Sequence, residues 1–182
     1  TWNALDLLPW EQPLNAGRPG VVALRGANFA VQNSDLLISI GCRLDNIITA
    51  YNPQGFARGA KKIVVDVDSN EISKLDMVIE VSITADARDF IDTLTRTEIP
   101  ETRQDASPWI RRCTDWKHRY PVNDGQPFPA EGSINHYHFI SALSDAMPPD
   151  TLVSTGSSGL AVEVFYTVFR NKPGQRVFLT SG

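Results

Sequence analysis

Basic side chains do not dominate this chain: 17 lysines and arginines stand against 21 aspartates and glutamates, a formal net charge of −4 with a pI near 5.3. Without a basic stripe, nucleic acid is not an expected partner. No apolar run approaches the ~20 residues needed to cross a bilayer, and no leader of the secretory type opens the sequence; no membrane partner is expected. Cysteine is scarce, only Cys42 and Cys113 in 182 residues, and two thiols so far apart are expected to stay free in a reducing cytoplasm. His136 and His138 flank Tyr137 with no Cys/His cluster around them, so no metal site is expected there. Internal repeats and low-complexity tracts are absent. So are an initiator methionine and any extension beyond "RVFLTSG", from which the chain is expected to be an excerpt of a longer protein.

What is present is an ordinary globular composition, 42% hydrophobic and 21% charged. Residues 1–33 are rich in turn formers (Pro9, Pro13, Gly17, Pro19, Gly20, Gly26), with a short helix expected over Arg25–Gln32. "LLISI" (Leu36–Ile40) and "KIVVDVD" (62–68) read as strands covered on both faces. Residues 52–62 read as a loop with a helical turn. A short helix over 69–75, capped by Ser69 or Asn70, precedes a third strand over 77–83. Residues 86–96 follow as a helix with Phe90, Ile91 and Leu94 on one face. Strands and helices alternating at this spacing argue for an α/β fold with a doubly wound parallel sheet. Leu37, Ile38, Ile40, Val64, Val65, Val67 and Phe90 are its expected core, and Ile38→Asp is expected to unfold it.

The pattern breaks in the polar, proline-containing stretch 99–108. One helix is expected through "WIRRCTDWKHRYP", with Trp109, Cys113, Trp116 and Tyr120 along a packed stripe, followed by the proline-rich "VNDGQPFPAEG". Helix, strand, helix and strand then follow in "INHYHFISALSDAMP", "DTLVSTG", "SSGLAVEVFYTVFR" and "QRVFLT". Two strands and two helices cannot cover both faces of a parallel sheet, so this is an incomplete second α/β unit. The expected domains are 1–100, a linker with one helix over 101–132, and 133–182.

The first strand runs into Gly41, Cys42, Arg43, Leu44 and Asp45, and ligands of open parallel sheets sit at the carboxyl ends of strands. Structural readings stand beside that one. Arg43 is then a local ion pair with Asp45, Asp66 and Asp68 are turn formers or helix caps, and Asp86 is a helix N-terminal charge. Ser157 and Ser158 lack the G-x-S-x-G frame of a nucleophile turn and have no His/Asp partners that can be paired with them.

"GRPG…RGANFAVQNSDLLISIGCRLDN", then "KIVVDVDSNEI" and "ADARDFIDTL", resembles the central domain of thiamine-diphosphate-dependent enzymes of the acetolactate synthase type. "TLVSTGSSG…FYTVFR…QRVFLTSG" is similar to the start of their diphosphate-binding domain. The resemblance implies a Rossmann-like central domain in an oligomer, a dimer or tetramer, acting on 2-keto acids. It also implies thiamine diphosphate and Mg²⁺ in the parent protein, whose remaining domains are partners of this chain. The glutamate that activates the cofactor and the Gly-Asp-Gly…Asn motif that holds its diphosphate are not in this sequence, so the chain alone is expected to be inactive. Some relatives bind FAD or ADP in the central domain. For such a nucleotide the resemblance implies Gly41, Cys42, Arg43 and Asp45 around the phosphates, with Asp66 and Asp86 on hydroxyl or base edges. Gly156, Ser157 and Ser158 fall where relatives contact the cofactor diphosphate. Val21 and Val22 replace the Met-His pair that meets flavin, and Ile47 stands where a second arginine is usual. Three readings stay open: part of a thiamine-diphosphate enzyme, a nucleotide-binding module, or a structural domain with a vestigial nucleotide site.

Overall fold

The computed structural model describes residues 2–98 and 105–179. They form two compact units, Ala30–Trp109 and the pair of segments Thr1–Phe29 and Ile110–Gly182. The fold is α/β with parallel strands. The element order is α1 (Arg25–Gln32), β1 (Leu36–Ile40), β2 (Lys61–Asp66), α2 (Ser69–Ser73), β3 (Val81–Thr84), α3 (Ala87–Arg96), α4 (Ser107–Arg119), α5 (His136–Ala146), β4 (Leu152–Ser154), α6 (Phe165–Val168) and β5 (Arg176–Phe178). Among the described residues no helix is long and apolar enough to cross a membrane.

In the first unit β1, β2 and β3 make a parallel sheet in sequence order. Ile38 pairs with Ile63, and Val65 with both Ile40 and Ile83. Alternate residues of a strand face opposite sides. On one side Val64 joins Leu44, Ile48, Phe56, Ala57, Ala60 and Ile72 in a buried cluster, with Leu37 packed against it. Much of that cluster comes from 41–60, a run of turns in which the Gly55 and Phe56 N–H groups donate to the carbonyls of Asn52 and Pro53. Val65, on the opposite side of β2, is fully shielded.

Two expected core residues are not in the core: Ile38 is 40% and Val67 72% exposed. β1 is an edge strand, and Leu36 and Ile38 on one of its faces stay partly open to solvent. Val67 lies beyond the end of β2. Leu37, Ile40 and Phe90 are half-buried. β3 starts four residues later than expected because Glu80 meets Lys62 from both its backbone and its side chain. Its N–H donates to the Lys62 carbonyl at 3.0 Å, while its carboxylate accepts the Lys62 backbone N–H, so ladder pairing begins only at Val81. α2 is capped by Asp68, not by Ser69 or Asn70: its carboxylate accepts the Asn70 N–H at 2.8 Å.

In the second unit α5 and α6 pack with β4 and β5 around Leu5, Ile140, Phe165, Tyr166, Val168, Phe169 and Val177. Val153 and Val177 turn toward this core, whereas Leu152 and Phe178 are 68% and 52% exposed, leaving the other face of the β4–β5 pair open. The helix expected through 157–170 is present as one continuous run, in which a π-helical turn, Leu160–Val164, passes directly into the four residues of α6. Three valines in this run are β-branched and disfavour a regular α-helix. α5 is capped by Asn135, whose Oδ1 accepts the Tyr137 N–H at 2.9 Å. The boundary stretch expected at 99–108 lies outside the described residues at 99–104.

Gly26 sits inside α1 and is not a turn glycine. A Cβ there would lie 2.8 Å from the Trp116 carbonyl oxygen of α4, so the two backbones touch. Gly26→Ala gains up to ~1 kcal/mol of helix propensity, but the overlap costs about 1–3 kcal/mol. A net fall in the urea midpoint is expected; an unchanged or raised midpoint would show that the helices separate freely.

Candidate functional site

The carboxyl edge of the β1–β3 sheet carries the residues singled out in sequence. Gly41 turns out of β1 with φ +56°, the left-handed region that favours glycine. Its N–H donates to the Val65 carbonyl at 2.9 Å, and a Cβ on it would lie 3.5 Å from that of Ala87, the first residue of α3. Thr84 pairs with Asp66, and the Ala85 N–H donates to the Asp66 carbonyl at 3.0 Å. The turn after β1, the end of β2 and the start of α3 therefore meet at one edge. The loop beyond is conformationally demanding: Leu44, Ala50, Tyr51 and Ala57 all have positive φ, each costing ~1–3 kcal/mol of strain that the packed cluster must hold.

The carboxylates here are engaged with backbone. Asp45 Oδ1 accepts the N–H groups of Ile47 (2.9 Å) and Ile48 (3.0 Å). Asp66 Oδ1 accepts the Asp68 N–H at 3.0 Å. Asp86 caps α3 by accepting the Arg88 N–H at 2.8 Å. Cys42 is half-buried against the hydrophobic cluster, and its carbonyl accepts the Ser39 hydroxyl at 3.3 Å.

Arg43 does not pair with Asp45. Its guanidinium forks onto Glu71 of α2, Nε to Oε2 and Nη2 to Oε1, both at 3.0 Å. Lys74 Nζ reaches the same Oε2. Hydrogen bonds from Arg43 and Lys74 hold the Glu71 carboxyl down at about 2, and Glu71 raises the Arg43 guanidinium further. The folded-state value of Glu71 lies below its ordinary one, so its contribution to stability is complete above about pH 4.5 and is lost as pH falls through about 2. Sequence reasoning missed Glu71 and Lys74. The available signal was Asp68-x-x-Glu71, a capping-box spacing, in which the glutamate turns outward to a cation 28 residues away in sequence.

Gly156, Ser157 and Ser158 belong to the other unit, just past β4. Ser158 Oγ accepts the Ala161 N–H at 3.3 Å, and its carbonyl accepts that of Val162 at 2.9 Å. Ser158 thus caps the following π-helical turn, while Gly156 and Ser157 are exposed. In the same unit a cleft of about 520 Å³ is lined by Val21, Val22, Arg25, Tyr120, Tyr137 and Thr167, among others. Arg25 lies 5.4 Å over the Tyr120 ring there. Among the described residues no group of three or more His, Cys, Asp or Glu side chains could hold a metal ion. The residues present do not by themselves fit Mg²⁺ and a diphosphate.

Comparison with known proteins gives this edge a context. The family "thiamine pyrophosphate enzyme, central domain" matches residues 1–94. The acetolactate synthase large subunit of Corynebacterium glutamicum is 35% identical over 187 residues, covering 100% of this chain and 28% of that protein. Isozyme 1 large subunit of Escherichia coli is 30% identical over 184 residues, covering 100% and 31%. The chloroplastic acetolactate synthase 1 of Nicotiana tabacum is 30% identical over 186 residues, covering 100% and 27%. The chain thus spans less than a third of the length of each of these relatives. With the family's central domain matched across more than half of its residues, this chain belongs to the thiamine pyrophosphate enzymes.

Proposed function

We propose that this chain works as part of an acetolactate synthase-like enzyme that uses thiamine diphosphate and Mg²⁺ to decarboxylate a 2-keto acid and join the product to a second carbonyl compound. The observation that carries the reading is the match of the whole chain to acetolactate synthases at 30–35% identity. On this reading residues 1–100 supply the central domain, 101–132 a linker, and 133–182 the start of the diphosphate-binding domain. Gly156, Ser157 and Ser158 then lie beside a cofactor held mainly by residues outside this chain. Its partners are the parent's other domains and further subunits of a homo-oligomer, and free Cys42 and Cys113 suit a cytoplasmic setting.

The Gly41–Asp45 edge is read as a vestigial nucleotide site. Arg43 is committed to Glu71, and Ile47 stands where a second phosphate-facing arginine is usual, so nucleotide binding there is weak. The 182-residue chain is expected to release no carbon dioxide from pyruvate with thiamine diphosphate and Mg²⁺. The complete reading frame that contains it is expected to release it from pyruvate or another 2-keto acid. A complete protein that binds no thiamine diphosphate in calorimetry would overturn the reading.

A further inference from the structure

Two cations, Arg43 and Lys74, converge on one carboxylate at the carboxyl edge of the sheet. Their side chains are 70% and 49% exposed, and that of Glu71 is 21%. The anion is therefore more enclosed than the cations that hold it. Both of its oxygens are used: Oε1 by Arg43 Nη2, Oε2 by Arg43 Nε and Lys74 Nζ. Two parallel N–H···O bonds from one guanidinium are also how arginine grips phosphate. Glu71 is not a loose surface residue, because α2 is pinned by its Asp68 cap and by Ile72 in the hydrophobic cluster.

Asp45 and Asp66 also act on Arg43. Those two carboxylates are turned to backbone N–H groups, so Glu71 alone fills the guanidinium fork, and without it the fork is open. Such exposed groups attract a free anion most strongly at low ionic strength.

We infer that Glu71 is a built-in anion that closes the Arg43–Lys74 pair, and that a phosphate or diphosphate group reaches this edge only by displacing it. The inference rests on the reading of the edge as a nucleotide site, and inorganic pyrophosphate and ADP as separate probes tell the two apart. In calorimetric titrations at low salt, the wild-type chain is expected to bind both probes more weakly than millimolar. Glu71→Ala and Glu71→Gln should each bind pyrophosphate at least tenfold more tightly, and adding Arg43→Ala should abolish the gain. Circular dichroism checks the fold; the glutamine variant, which keeps the side chain's shape, decides the matter if the alanine variant is unstable. Wild-type chain binding pyrophosphate as tightly as the glutamine variant would overturn the inference. ADP bound more tightly than pyrophosphate by the variants supports both readings. Pyrophosphate gained with no preference for ADP leaves Glu71 as the closing anion and removes the nucleotide reading alone.

Discussion

Replacing Arg18 with methionine is expected to lower stability by about 3 kcal/mol, the larger of two opposed effects winning. Arg18 is only 6% exposed. Its Nη1 donates to the carbonyls of Tyr166 (2.7 Å) and Phe169 (2.8 Å), and its Nη2 to Asn171 Oδ1 (3.0 Å). It also lies 5.5 Å from the Trp10 ring centre and 5.9 Å from that of Tyr166. The two carbonyls are at the end of α6, the negative end of the helix, so the guanidinium works as a C-terminal cap reaching back from residue 18. Burial is the main influence on its protonation and lowers it to about 10, while Tyr166 and Asp6 pull the other way. Because burial holds it below its ordinary value, the buried charge costs stability at neutral pH, and the cost is relieved only as pH climbs through about 10.

Methionine removes that cost, several kcal/mol for an ion, and keeps most of the apolar stem. It also strands three buried oxygens, each worth about 1–3 kcal/mol when charge-assisted bonds are lost, together with the aromatic contacts, about 0.5–2 kcal/mol. The net loss should shift Tm down by roughly 6–12 °C for a chain of this size. Arg18→Lys keeps the charge but cannot span three acceptors from one ammonium, so it should fall between the two. A methionine variant melting within a degree or two of wild type would mean that the cap only balances its own desolvation.

Local features of the fold were legible in sequence because their causes are local. "LLISI" and "KIVVD" are β-branched or leucine-rich runs bounded by polar residues, and they became β1 and β2. Asp86 precedes an amphipathic stretch and caps α3. What was illegible depends on distant partners. Whether Arg43 pairs with Asp45 or Glu71 is decided by how α2 is set beside the turn after β1. Glu80, by taking the Lys62 N–H, set where β3 begins. The role of Arg18 lies about 150 residues away, in carbonyls that no sequence pattern marks. Apolar character also did not fix burial: Val64 and Ile38 look alike in sequence, yet one is central and the other lies on an edge.

That contrast gives a second large effect. Val64→Asp is expected to abolish cooperative folding of the Ala30–Trp109 unit, while Ile38→Asp, a change that sequence alone marks as equally damaging, should be tolerated. Val64 is 1% exposed on the middle strand, within the cluster of Leu44, Ile48, Phe56 and Ile72. A carboxylate placed there has no cation among those neighbours, and burying it unpaired costs several kcal/mol. Protonating it instead still leaves a polar group without partners, on top of the lost valine contacts at about 1.5–3 kcal/mol. The total reaches the ~5–15 kcal/mol that stabilises a whole domain. Ile38, 40% exposed on edge strand β1, can direct a carboxylate to water, and the cost reduces to strand preference and partial burial, about 1–2 kcal/mol. Urea unfolding followed by far-UV circular dichroism, with limited proteolysis mapping cuts between residues 30 and 109, separates the two variants. Ile38→Asp should keep a cooperative transition and the wild-type cleavage pattern, and Val64→Asp should lose both. If Ile38→Asp proves as disruptive as Val64→Asp, the outer face of β1 is covered in solution, and the sequence-based expectation of a strand buried on both faces is restored.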